Sequence, residues 1–414
     1  MSHYPLRGIR VIDLSRVWSG PVAGRQLADM GAEVIKVESH RRIDLVRQLT
    51  AGGRGKPSDY KTDHDSEVQI NFENFNRNKL SVTLDLESEE ACQIAKRLVG
   101  VSDVVVENFP PRIMKKWSLS YDELCNVNPS IIMISLSAAG QWGPLRDIMT
   151  YGPSLGGLAG LESVVGYDDN VPIGSHRDAT DPLAAVLAAY AVLVAIRHRN
   201  RTGKGQYIDL SQWEASTCTQ AYILMDWIMN KRNSKLIGNK HYQFAPCGCY
   251  RCRGEDKWVA IAVATQEHWL GFCRTLGDPE WTRDERFKDM RGRKLNEKEL
   301  DRWIESWTSE LEQYDVMTRL QMNGVPSAAT LDTLQALRDP HFNSRELWTV
   351  PAAGNKLADE EGVIESPYWR LSRTQGGVYR AAPTLGRDQE YVLAELMGMS
   401  QAEITDLGKR GILY

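Results

Sequence analysis

The segment GIRVIDLSRVWSGPVAGRQLADMGAEVIKVE, residues 8–38, decides the fold. It opens on a short β-branched run, turns tightly at Ser19, Gly20 and Pro21, continues with apolar residues at helical spacing, and closes on a second apolar run ending at Glu38. That order is strand, helix, strand, the unit of Rossmann-like sheets. The turn lacks the dinucleotide fingerprint GxGxxG. Glu38 stands where such folds often hold a ribose, although an acidic residue at a strand end is more commonly just solvated.

Working outward, the pattern repeats. SVTLDL (81–86), VVVENF (104–109), IIMISLS (131–137) and QYIDLS (206–211) read as further strands, and SEEACQIAKRLVGVSD (88–103) carries apolar residues at helical spacing. Strands alternating with helices predict a parallel sheet with its ligand at the strands' carboxyl ends, where ENF (107–109) and SLSAAGQWG (135–143) sit. Residues 51–69 are polar and without period, which predicts an exposed loop or lid. QWEASTCTQAYILMDWIMN (212–230) reads as one helix.

Near residue 231 the texture changes. CYRCRGEDKWVAIAV (249–263) reads as a hairpin turning at 253–256, and the helices EHWLGFCRTLG (267–277) and NEKELDRWIESWTSELE (296–312) follow. In the second, Leu300, Trp303, Ile304, Trp307 and Leu311 share one face, as core residues do. A new strand, VPSAATL (325–331), follows Gly324, and QEYVLAELMG (389–398) reads as a late helix. The expected division is a large α/β domain over 1–230, a small domain over 231–325, and a segment 326–414 returning to the first.

Composition removes several function classes. In 414 residues, hydrophobic content of 42% and charged content of 25% are those of a globular protein, and the net charge of -4 supplies no attraction for nucleic acid or anionic membrane. The N-terminus has no basic region followed by an apolar one, and no segment reads as a membrane span, so a cytoplasmic protein is expected. Seven scattered cysteines read as reduced thiols. Cys247, Cys249 and Cys252 with His241 are the nearest approach to a metal cluster, but alternate residues of a hairpin strand face opposite ways, so no metal is expected. GxSxG, HExxH and Walker motifs are absent.

One carboxylate stands out in RDATDPLAAVLAAYAVLVAIRHRNRTGKGQYIDL (177–210). Asp181 precedes Pro182 and a long apolar run, so it reads as the N-cap of a buried helix. A cap and a chemically active carboxylate are both compatible with that position, and Asp178 is a neighbouring alternative.

Five blocks in fixed order resemble the family III CoA-transferases, the CaiB/BaiF family: residues 5–39, NRNKLSVTLDL (76–86), DVVVENF (103–109), DPLAAVLAAYAVLVAIRHRNRTGKGQYIDLSQWEA (181–215) and NGVPSAATLDTLQALRDPHF (323–342). The resemblance implies a Rossmann-like large domain and a smaller α+β domain in an interlocked dimer, a homodimer or a heteromer with a related subunit. It implies Asp181 as nucleophile, acting through aspartyl anhydride and aspartyl-CoA thioester intermediates. No cofactor is bound permanently; coenzyme A enters as an acyl-CoA substrate, with succinyl-CoA a candidate donor and a carboxylic acid as acceptor. Carried over by position, the CoA contacts are Trp18, Ser19, Leu84, Asn108, Phe109, Lys116, Ser137 and Ala138. The ordinary alternatives are that Phe109 is core, Lys116 solvated and Ser137 a turn former.

The departures inform as well. ENFPPR replaces the common ENFRPG, displacing the arginine to Arg112, and NKHYQFAPCG (239–248) lacks the glycine run of formyl-CoA transferases, which argues against formate or oxalate. Trp18, with Arg16, His40, Arg41 and Arg42 nearby, suggests a larger aromatic or dicarboxylic acid. Related acyl-CoA racemases use a histidine that SLSAAGQWGPLRDIMTYG (135–152) lacks. Ala185 and Leu187, where Gly and His are often found, keep a non-catalytic CoA-binding subunit as a further alternative.

Overall fold

The computed structural model describes residues 4–50, 53–54, 70–167, 171–174, 179–350 and 362–413. Asp178 and most of the expected 51–69 loop lie outside the described residues. The chain divides into two compact units, one of Met1–Glu162, Ser175–Arg232 and Arg345–Tyr414, the other of Ser163–Gly174 and Asn233–Ser344.

The larger unit is built on β1 (Arg10–Asp13), β2 (Glu33–Glu38), β3 (Lys79–Thr83), β4 (Val104–Glu107), β5 (Ile132–Ser137) and β6 (Gln206–Ser211). These pair in the order β3-β2-β1-β4-β5-β6, all parallel. Successive side chains point to opposite faces, and here both faces are covered, so strands read as unbroken apolar runs. Val11, Val34, Val104, Val106, Ile132 and Ile134 meet α1 (Ser19–Asp29) and α3 (Thr180–Thr202). Ile12, Ile35, Val105 and Met133 meet α2 (Glu89–Gly100) and the C-terminal residues Val392, Leu393 and Leu407.

The long helix α3 departs from expectation twice. It begins at Thr180 with Ala179 as cap, so Asp181 is not the N-cap but the second helical residue. No first-turn N–H has an intrahelical acceptor, so Pro182 fits at the third position as readily as at the first and does not fix the start. Nor is the helix wholly buried. Ala185, Ala188, Ala189, Val192 and Ala195 lie against the sheet layer, while Val186, Leu187, Tyr190, Leu193 and Val194 are exposed. By length and composition it could cross a membrane; its alanine side instead packs in this unit's core. Gly203, left-handed at φ 74°, ends it.

The run 212–230 is two helices, α4 (Gln212–Cys218) and α5 (Ala221–Asn230). The hydroxyls of Thr217 and Thr219 donate back to the carbonyls of Trp213 and Ser216, which favours a break at this point. No side chain of α5 is buried.

The smaller unit carries an antiparallel sheet of β7 (Cys247–Arg251), β8 (Trp258–Ala262) and β9 (Ser327–Thr330) in the order β9-β8-β7. The strand expected to open the returning segment therefore belongs to this unit, because Ser327 to Thr330 pair with Ile261 to Trp258, and the chain leaves only after Ser344. Val259, Ile261, Trp269, Phe272, Phe287, Leu300, Ile304 and Val316 form its core. Trp303 is half exposed, stacked on Trp281 with centroids 5.8 Å apart. Among the described residues no group of three or more His, Cys, Asp or Glu side chains could hold a metal ion.

Candidate active site

Strand order reverses on either side of β1 and β4, so the loops leaving their carboxyl ends diverge and open a crevice. Asn108, just past β4, ties the two loops together. Its side-chain oxygen accepts from the Arg16 N–H at 2.9 Å and its amide donates to the Arg16 carbonyl at 2.7 Å. Val17 is then left-handed, φ 70°, a costly conformation for a β-branched residue. Its N–H is held by the Asp44 carboxylate at 3.1 and 3.3 Å.

Two cavities flank this junction, and Phe109 and Pro110 line both. The first, about 440 Å³, is also lined by Val17, Ser19, Asn108, Leu136, Ser137, Ala138, Arg146, Met149, Tyr151, Asp181 and Gln212. The second, about 210 Å³, has an apolar floor of Leu14, Val37, Leu84, Leu86, Ile113 and Trp117, with Arg16, Arg42, Asp85 and Glu87 around it.

Of the residues expected from sequence, Ser19, Asn108, Phe109, Ser137, Ala138 and Asp181 converge on the first cavity, and Leu84 lies in the second. Trp18 and Lys116 line neither. The Trp18 ring stacks on Phe75, centroids 5.3 Å apart, and packs against the sheet layer. Lys116, at the end of the short helix Pro111–Lys116, points outward and pairs with Glu87. Arg112 meets Asp147 at 3.4 Å. The basic run after β2 does not reach the cavity of Asp181: Arg42 lines the second cavity and Arg41 pairs with Asp85 at 3.2 Å. Glu38 is buried and bound by Arg47 through two hydrogen bonds, at 3.0 and 2.7 Å. Gln212 and Arg146 escaped the sequence reading. The first was findable as the residue just past β6; the second sits in an irregular loop with no period to mark it.

The electrostatics beneath the junction are unusual. Lys36 and Asp44, both fully buried, pair at 3.1 Å, and Lys36 also donates to the Ser15 carbonyl at 3.0 Å. Lys79 and Asp13, equally buried, pair at 2.7 Å. Burial opposes ionisation of Asp13 and Asp44, yet the lysines outweigh it and hold both carboxyls below their usual range. Burial pulls Lys79 down to about 8, whereas Asp44 and Glu38 more than offset burial at Lys36 and raise it. Glu107, which accepts the Phe109 N–H at 2.7 Å, is pushed up to about 7 by burial. Ser137 is nearly buried, and its hydroxyl finds no hydrogen-bond partner among the described residues.

A carboxylate in the first turn of a long helix is favoured in its ionised form by the helix dipole, and Asp181 stands there on the wall of a cavity that an acyl group could enter. Residues 6–389 match the family described as CoA-transferase family III. The chain is 30% identical over 409 residues to the succinyl-CoA–D-citramalate CoA-transferase of Chloroflexus aurantiacus, covering 99% of this chain and 98% of that one. It is 31% identical over 396 residues to the succinate–glutarate CoA-transferase of Agrobacterium fabrum, covering 95% and 96%. A solved CAIB/BAIF family protein from Brucella suis superposes with a TM-score of 0.84 at 27% identity, over 96% of this chain and 100% of that one. Order, length and fold thus agree from near the first strand to the last helices, and the chain is an enzyme that belongs to CoA-transferase family III.

Proposed function

We propose that the protein moves CoA from succinyl-CoA to a dicarboxylic acid, with Asp181 as nucleophile. The observation that carries this reading is the placement of Asp181 and the unpaired Ser137 hydroxyl on one cavity wall, beside a second, apolar cavity at the strands' carboxyl ends. The nucleotide end of CoA occupies the second cavity, with Arg16 and Arg42 toward its phosphates, and the pantetheine arm passes Phe109 and Pro110 to reach Asp181. The dicarboxylic class follows from the relatives, which pair succinyl-CoA or succinate with citramalate and glutarate.

The Asp181 carboxylate attacks the thioester carbonyl, the tetrahedral oxyanion collapses, and the CoA thiolate leaves behind a succinyl-aspartyl anhydride. The thiolate attacks the aspartyl carbonyl and releases succinate, giving an aspartyl-CoA thioester. The acceptor carboxylate attacks that thioester and expels the thiolate, forming a second anhydride. The thiolate then attacks the acceptor's carbonyl and frees Asp181. Every step exchanges one activated acyl group for another, so no ATP is consumed. Purified protein supplied with succinyl-CoA and a panel of mono-, di- and aromatic acids tests the reading, with hydroxylamine added to trap the acylated residue. A hydroxamate on Asp181 is expected. Exchange of the α-hydrogen with deuterium and no transfer would indicate a racemase, and inactivity alone with activity restored by a related subunit would indicate a heteromer.

Ser137 supports the developing oxyanion in this scheme. Ser137→Ala is expected to lower kcat by about 10–100-fold without lowering the melting temperature, since the lost hydroxyl has no partner among the described residues. Unchanged kcat would return Ser137 to a turn-forming role. A second copy of the chain covers the exposed stripe of α3 and the unburied side chains of α5. Tyr190→Arg, which puts a charge into that stripe, is expected to shift the protein to a smaller species in sedimentation velocity; an unchanged profile would place the interface elsewhere.

A further inference from the structure

We infer that Arg146 receives the second carboxylate of the acid and so sets the preference for dicarboxylic substrates; this rests on the dicarboxylate reading above. Among the described residues lining the cavity that holds Asp181, Arg146 is the one cation. The other basic side chains near the crevice serve elsewhere: Arg42 at the second cavity, Lys116 on Glu87, and Lys36 and Lys79 inside buried pairs.

The guanidinium of Arg146 is also available. Its protein partner is the adjacent Asp147, met through Nε at 3.4 Å, and Asp147 is shared with Arg112 at the same distance. Exposed pairs of this kind contribute little, and the two terminal amino groups of Arg146 donate to nothing among the described residues. That leaves the planar fork that binds a carboxylate through two parallel hydrogen bonds. The remaining wall explains why the fork is needed. Leu136, Ile148 and Leu155 alternate there with neutral polar groups such as Asn108, Ser137 and Gln212, none of which carries the positive charge that would balance a carboxylate drawn against the apolar part of the wall. A monocarboxylic acid makes no such demand.

The test exploits the two half-reactions. In ping-pong exchange, kcat/KM for the acceptor reports only on the enzyme–CoA intermediate meeting the acid, so the donor's own carboxylate does not enter. Glutarate and pentanoate, acids of equal chain length, are compared as acceptors with succinyl-CoA as donor, using wild-type protein, Arg146→Met and Arg146→Lys. Arg146→Met is expected to lower kcat/KM for glutarate by roughly 100-fold, mostly through KM, and to change that for pentanoate less than about threefold. Arg146→Lys should fall between, because a point charge lacks the fork. A wild type that prefers glutarate alongside a Met variant that keeps the preference would overturn the role of Arg146 while leaving the dicarboxylate reading intact. Equal losses for both acids would likewise overturn it. A wild type indifferent to the second carboxylate would remove the dicarboxylate reading and this inference together.

Discussion

Asp181→Asn is expected to leave the fold intact and to reduce CoA transfer by roughly four orders of magnitude or more, the usual consequence of removing a covalent nucleophile. Asn has nearly the shape of Asp and suits the first turn of a helix, and Asp181 is neither the cap of α3 nor a buried core residue, so packing is undisturbed. The loss of charge at that end costs about 0.3–1 kcal/mol of dipole interaction, far too little to unfold the chain. The amide cannot form the anhydride. Steady-state transfer, a thermal melt and CoA binding by calorimetry separate the outcomes: binding and melting should persist while turnover disappears. A variant retaining more than a few per cent of wild-type turnover would move the nucleophile to another residue.

Lys36→Met should have the largest effect on stability. It strands Asp44 as a buried, uncompensated carboxylate, and breaking such a pair costs about 3–5 kcal/mol. Replacing both partners, Lys36→Met with Asp44→Leu, removes the stranded charge and should recover most of that loss in urea midpoint. The double variant nonetheless loses the carboxylate that holds the Val17 N–H, so its turnover should remain depressed. Stability and turnover returning together would mean that the pair has no part in shaping the cavity.

The sheet was legible because its strands are covered on both faces, which writes Val11 and Ile12, Val104 to Val106 and Ile132 to Ile134 as dense apolar runs. The crevice was legible for the same reason: residues at or beyond the carboxyl ends of β1, β4 and β5 were bound to gather at one edge, and Ser19, Asn108, Phe109 and Ser137 did. What escaped depended on partners distant in sequence. Nothing in the strand pattern marks Lys36 and Lys79, whose partners Asp44 and Asp13 lie elsewhere in the chain. The small unit continues past residue 325 because β9 pairs with β8, and SAAT carries no apolar signature to announce it. Trp18 was named by position alone, and nothing in the sequence hints that its indole stacks on Phe75, a residue distant in the chain. Arg146 lies in an irregular loop, where periodicity gives no guide.

The left-handed Val17 has a consequence for binding thermodynamics. Held by Asp44 from one side and flanked by Arg16, which Asn108 secures, it is fixed by the protein's own hydrogen bonds. The conformational entropy of that loop is spent during folding, so an arriving thioester does not bear it. Association should therefore show a heat-capacity change that reflects the apolar surface covered, with little contribution from ordering of the crevice itself.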